Sequence, residues 1–288
     1  MSSRRPQLSR GELRTLLIEA GQGILREEGL GAGAELLTFR RVCERIETER
    51  GLRIGNGSII GRVWESLFDY QTEVLATIAA DDSTAEIEET LDGLIPILLG
   101  ADPSSEESRW ATVREVCRAG AAANMVALSQ STDWSLWIGV WAVTSVGSAP
   151  ARRRRIEAAL EQAYLAVTER MERIYQAAMD IVGFRVRSGL TIRQFTIAVA
   201  ALTEGCVLRN RVDGQAMSGI VRSTGPGGQP QEWTLFGIGL EALAEKFFEP
   251  APGWKPLSAV AMDGCTSPTS SDRPLLRTSG EMSPERSA

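Results

Sequence analysis

The chain of 288 residues contains no histidine. That absence removes Ser/His/Asp and Cys/His triads, HExxH zinc sites and imidazole general bases, and leaves only enzymes built on carboxylates or cofactors. Lysine is nearly missing too: of 31 Lys and Arg residues only Lys246 and Lys255 are lysines. Coding bias in a GC-rich genome accounts for most of that skew, although arginine is also the better bidentate partner of guanine and phosphate. The four cysteines, Cys43, Cys117, Cys206 and Cys265, stand far apart with no CxxC pair and no secretion signal. They are expected to be reduced thiols of a cytoplasmic protein, not a disulfide framework or a zinc site. Long apolar runs are missing as well. The first apolar stretch, Leu16 to Ile18, is cut by Glu19, and no run approaches the roughly 20 residues that span a bilayer. No membrane partner, metal or cofactor is expected.

What remains is ordinary globular composition, with 43% hydrophobic and 24% charged residues and a net charge of −6. The length fits about two domains with real cores. After a short polar arm with Arg4, Arg5 and Pro6, Ser9 and Glu12 form an S-x-x-E capping box. Leu8 and Leu13 sit at the positions of a hydrophobic staple, and Leu13, Leu16, Leu17, Ala20 and Ile24 recur at helical spacing until Gly29. Thr38 is placed to cap a second helix with Phe39, Val42 and Ile46 inward and Arg40, Arg41 and Arg45 outward. Glycines at 51, 55 and 57 with Asn56 break the chain before the short apolar segment Ile59 to Trp64. That order reads helix, turn, helix, and a further amphipathic run starts near Asp69.

From about residue 80 the pattern is helical throughout. Helices are expected over 84 to 99, 105 to 130, 132 to 146, 150 to 182, 191 to 210 and 231 to 248. Their boundaries carry Pro103 with Ser104 and Ser105, Pro150 in a first turn, and a Thr191/Gln194 capping box. Asp213 to Pro230 reads as a loop, and the Pro, Ser, Thr and Gly content after residue 249 as a disordered tail.

Three short helices ahead of a helical domain suit DNA reading, because a recognition helix in the major groove needs a bracing helix and polar groups on the phosphates. Between Thr38 and Trp64 lie six arginines (40, 41, 45, 50, 53 and 62) against three glutamates (44, 47 and 49), a local +3 on an acidic chain. That excess fits either a polyanion-facing patch or a solvated helix face.

The sequence resembles the tetracycline-repressor (TetR) family of transcription regulators over residues 8 to 78. The resemblance rests on a first helix ending in Glu-Glu-Gly, then Leu37-Thr38-Phe39-Arg40-Arg41-Val42, then a short helix closing on Gly61-Arg62-Val63-Trp64. It extends more weakly to Gly189-Leu190-Thr191, Thr203-Glu204-Gly205 and Trp233-Thr234-Leu235-Phe236. It implies an all-α protein: a helix-turn-helix domain over 1–78, a helical ligand-binding and dimerisation domain over 79–249, and a tail over 250–288. It further implies that Thr38 caps the second helix against phosphate, that Ser58 and Ile59 lie near base edges, and that Arg62 meets the backbone. Arg4, Arg5, Arg40, Arg41 and Asn56 complete the expected DNA-binding set. The expected partners are a near-palindromic DNA operator, a second copy of the chain and a small apolar or aromatic effector. The sequence departs from the family in a turn, Glu47 to Asn56, that is several residues longer than usual.

Trp134, Trp137 and Trp141 recur at i, i+3 and i+7, which stacks three indoles on one helical face. Such a stripe is either core or the wall of an effector cavity, to which Trp110 and Met125 would add. Dimerisation is expected on the stripes Phe195, Val199 and Leu202 and Leu235, Leu243 and Phe247, with Gly205, Gly237 and Gly239 permitting close approach. The four arginines Arg152 to Arg155 start a helix, where the macrodipole disfavours cations, and read as a solvated face. Asp81, Asp82 and Glu86 supply a faint DDxxxE, the basis of an alternative reading as an all-helical magnesium enzyme. A second alternative is a TetR-like interaction protein that has lost DNA binding.

Overall fold

The computed structural model describes residues 8–31, 33–55, 59–81, 85–147 and 150–256. It is mostly helical, as expected from the periodicity, and local signals explain most helix ends. Helix α1 (Arg10–Glu28) starts at the Ser9/Glu12 capping box and stops at Gly29, whose φ of 74° a side chain would resist. A 3₁₀ turn (Gly33–Leu36) leads to α2 (Phe39–Arg50), capped by Thr38 and closed by Gly51 in the left-handed region. Helix α3 (Leu67–Ala79) begins where the Ser66 hydroxyl accepts the Asp69 amide. Leu17, Leu25, Val42, Ile46, Tyr70 and Val74 fill the space between these three helices. Gly21 allows the close crossing, since a Cβ there would strike the Tyr70 hydroxyl, which donates to the Leu17 carbonyl at 2.8 Å.

The remaining helices are α4 (Ala85–Leu99), α5 (Glu106–Gln130), α6 (Thr132–Gly147), α7 (Pro150–Val182), α8 (Ile192–Asn210), the short α9 (Gly214–Met217) and α10 (Leu235–Phe247). Two antiparallel pairs of three-residue strands accompany them. Strand β1 (Phe184–Val186) pairs with β4 (Phe248–Pro250), and β2 (Ile220–Arg222) pairs with β3 (Gln231–Trp233). The stretch expected as a loop over 213 to 230 therefore holds α9 and β2, and the helix expected from 231 starts at Leu235 after a strand. Three-residue strands are too short to show alternation.

The N-terminal core is not closed by α1 to α3. Leu136 and Val140 of α6 and Ile156 and Leu160 of α7 belong to it, so packing runs across the boundary expected at 78. Glu73 of α3 is buried there, accepts the Trp64 indole N–H at 2.9 Å, and is met by Arg14 of α1 and by Arg155 of α7 at 3.2 Å. Arg152, one turn earlier on α7, donates to Thr72 and Gln71 at 3.1 Å and lies 3.9 Å over the Phe68 ring. The solvated arginine face is thus corrected in half. The i, i+3 spacing turns Arg152 and Arg155 onto α3, while Arg153 reaches Glu157 on its own helix.

A second core gathers Val113, Cys117, Met179, Val182, Phe184, Phe195, Val199 and Phe248, and a third Ala121, Met125, Cys206, Val207, Met217 and Phe236. The described residues run on past 249 to 256. Trp254 donates its indole N–H to the Asp180 carbonyl at 2.9 Å and stacks under the Arg109 guanidinium. The rest of the expected tail, 257–288, and Cys265 lie outside the described residues. No helix among the described residues is long and apolar enough to cross a membrane.

Candidate functional site

The residues expected at DNA meet different fates. Arg4, Arg5, Asn56 and Ser58 lie outside the described residues. Thr38 caps α2 by accepting the Arg41 amide at 3.3 Å. Ile59 is wholly buried in the N-terminal core, and its neighbour Ile60, 54% exposed, takes the outward place. Over the described residues 59–64, the short helix expected to close on Gly61-Arg62-Val63-Trp64 is a turn in which the Val63 amide reaches the Ile59 carbonyl at 2.9 Å. Gly61, at φ 76°, cannot propagate a right-handed helix. Arg62 ties the start of the described chain down by donating to the Leu8 carbonyl at 2.8 Å.

The charge excess of this region is largely engaged at home. Arg41 pairs with Glu28, Arg45 with Glu27 and Glu49 at 2.7 Å each, Arg50 with Glu19 at 2.9 Å, and Arg53 with Glu47. Arg40 is exposed. Most of these pairs are solvent-facing and individually weak, so phosphates could replace the carboxylates at small cost.

A cavity of about 200 Å³ lies among α5, α6, α7 and α8. Its wall is aromatic and apolar: Trp134 and Trp137 of α6, Tyr164, Val167, Met171 and Tyr175 of α7, and Val199 and Ala200 of α8. Trp137 and Tyr164 stack nearly parallel, 15° apart with ring centroids at 6.3 Å. Thr168, Thr196 and Thr203 add hydroxyls, two of which are spent on carbonyls of their own helix, Thr196 on Ile192 and Thr203 on Val199. The ionisable lining is entirely acidic, from Asp81, Asp133 and Glu204. Burial raises the Glu204 carboxyl above the ordinary carboxylate range, and the Tyr164 hydroxyl is raised by burial and then by the nearby Glu204 charge.

Two of the five residues expected at an effector site, Trp134 and Trp137, are in this wall. Trp110 packs instead on Phe184 at 4.3 Å in the second core, and Met125 is buried in the third. Trp141 is 55% exposed: the core face of α6 is Leu136, Val140 and Thr144, and the indole stripe flanks it. Sequence reasoning missed Tyr164, Thr168 and Glu204, which α7 and α8 bring in from far along the chain.

Residues of the cavity wall also contact the N-terminal unit. Asp133 accepts from Arg26, in the last turn of α1, at 2.6 Å. Leu30 lies so close to α6 that a Cβ on Gly139 would stand 3.0 Å from its methyl group. Trp137 is packed against the N-terminal core on one side and lines the cavity on the other.

Of the residues expected at a dimer interface, Phe195 and Val199 are buried within the chain, and Leu243 and Phe247 pack on the same core, with Phe247 5.5 Å from Phe195. Leu202 fills the space over Gly239, and Gly237 faces Trp233 and Ala121. These glycines serve helix packing inside one chain. Leu235 is exposed, and with Ile197, Ala201, Gly205 and Leu208 of α8 and Ala242 of α10 it makes an outward apolar face. A Cβ on Gly205 would meet nothing.

Among the described residues no group of three His, Cys, Asp or Glu side chains could hold a metal ion. Asp82 of the DDxxxE lies outside them, and Asp81 stands at the cavity. No family model, curated protein or solved structure matches the chain.

Proposed function

We propose that the chain is a ligand-responsive, DNA-binding transcription regulator that acts as a homodimer and reads a near-palindromic operator. The observation that carries this reading is the Arg26–Asp133 pair, in which one carboxylate both lines an apolar cavity and holds the last turn of α1. A ligand that reorganises Asp133 or Trp137 changes how α1 to α3 sit on α6, and two such units in a dimer would then present their DNA-facing loops at a different spacing. Coupling of this kind typically amounts to about 1–3 kcal/mol. Thr38, Arg40 and Arg62 are the assigned phosphate contacts, with Ile60 in the outward position of the loop.

The dimer is assigned to the outer face of α8 and α10. Leu208→Glu is expected to convert dimers to monomers in sedimentation and to weaken DNA binding with them, because each half-site alone offers too few contacts. The test is a gel shift at stated salt with the DNA upstream of the chain's own gene. A second reading, a helical interaction protein without DNA binding, draws support from the home-paired arginines and the turn at Gly61. It predicts no shift at any salt and an unchanged ligand response.

A further inference from the structure

The cavity differs from a generic apolar pocket in the sign of its charge. Asp81, Asp133 and Glu204 line it, and among the described residues no arginine or lysine does, in a chain with 29 arginines. Two guanidiniums touch its wall without lining it. Arg26 is engaged on Asp133, and Arg211 lies 5.3 Å over the Trp134 ring while donating to Ser135. Glu204 is half-buried, and no hydrogen bond or ion pair holds its carboxylate among the described residues. It shares the cavity wall with Trp134, Trp137 and Tyr164, and aromatic rings attract cations through their quadrupoles. A carboxylate taken partly out of water and left without a partner costs stability that a bound counter-charge would restore. An anionic ligand would meet repulsion from Glu204. A neutral one would leave Glu204 uncompensated.

We propose that the cavity binds an organic cation of one-ring size, an aromatic amine or quaternary ammonium whose ring stacks on Trp134, Trp137 or Tyr164 and whose charge faces Glu204. The size follows from the volume: about 200 Å³ falls below the roughly 300–1,000 Å³ of pockets for drug-sized ligands. This inference rests on reading the cavity as the effector site, and it names the chemical class of the effector. A cation between Glu204 and Asp133 also competes with Arg26 for the Asp133 carboxylate, which gives the ligand a direct hold on α1.

The test uses the full chain without DNA, so that it stands apart from the regulator reading. Trimethylanilinium and its uncharged isostere tert-butylbenzene are titrated while tryptophan emission is followed, with phenylacetate as the anionic control. The expected result is that the cation binds at least tenfold more tightly than the isostere and that phenylacetate does not bind. Glu204→Gln should remove the preference for the cation while leaving tert-butylbenzene binding within twofold, with thermal melting to show that the variant is folded. Equal affinity for cation and isostere in the wild-type chain, tighter binding of phenylacetate, or no binding of any of the three overturns the proposal, and this comparison does not depend on the variant. Cation binding with no operator binding would overturn the regulator reading alone.

Discussion

Glu73 and Glu204 are the same residue type on helices of the same protein, and they are treated in opposite ways. Glu73 is buried at the junction of α1, α3 and α7, where a tryptophan N–H and two arginines converge on it. Glu204 is half-buried on a cavity wall among aromatic rings, and nothing in the described residues neutralises it. A carboxylate on one helix whose charged partners come from two others fixes the three relative to one another. A carboxylate left without partners beside an open volume is poised for a ligand. The first region is a brace and the second, on the proposed reading, a receptor, and the Arg26–Asp133 pair lies between them.

The same substitution at both positions sharpens the contrast. Glu73→Gln should cost the largest stability, about 2 kcal/mol by urea unfolding, because it leaves two guanidiniums without their counter-charge and weakens the bond to Trp64. The half exposure of Arg14 and Arg155 keeps the loss from reaching the full value of a buried pair. Glu204→Gln should produce no loss and a small gain in melting temperature at neutral pH, since it removes an uncompensated charge. Equal losses at both sites would break the comparison.

A smaller effect concerns pH. The folded state raises the Glu204 carboxyl above its ordinary value of 4.5, so it holds the proton more tightly than the unfolded chain does. Between 4.5 and the raised value the folded state therefore binds more protons, and its stability falls as pH rises through that window. Glu204→Gln should flatten this part of the profile relative to wild type, and a parallel pair of profiles would contradict the assignment. Over the same window the wild-type affinity for trimethylanilinium should rise as Glu204 ionises, with Asp133 and Asp81 the other acids facing the site and Tyr164 remaining protonated.

Most of the helical framework was legible because its signals are local. Capping boxes at Ser9 and Thr191, Pro150 in a first turn and the glycine stop at 29 mark helix ends to within a residue or two. The turn at Gly61 was not legible, because apolar residues around a glycine read as a short helix until the φ angle is known. The cavity was half legible. The indole spacing found the right helix and two of its wall residues, but which part of the stripe is covered depends on where Tyr164 of α7 crosses α6, a long-range fact. Thr203 and Glu204 carried a resemblance to a dimerisation helix, yet α8 has two working faces. Residues 196, 199, 200, 203 and 204 turn inward to the cavity, and 197, 201, 205 and 208 outward. Phe195 and Phe247 looked surplus to one core because the sequence does not reveal that Phe248, Tyr175 and Phe184 assemble around them.

The central claim, that this helical protein reads DNA, is most directly tested by selecting bound sequences from random double-stranded DNA with the full chain and measuring the enriched site at several salt concentrations. The account predicts a near-palindrome with half-sites about one helical turn apart, and an affinity that falls by about a hundredfold between roughly 50 and 200 mM salt as the Arg40 and Arg62 phosphate contacts of both protomers are lost. No enriched sequence, or a complex indifferent to salt, would contradict it.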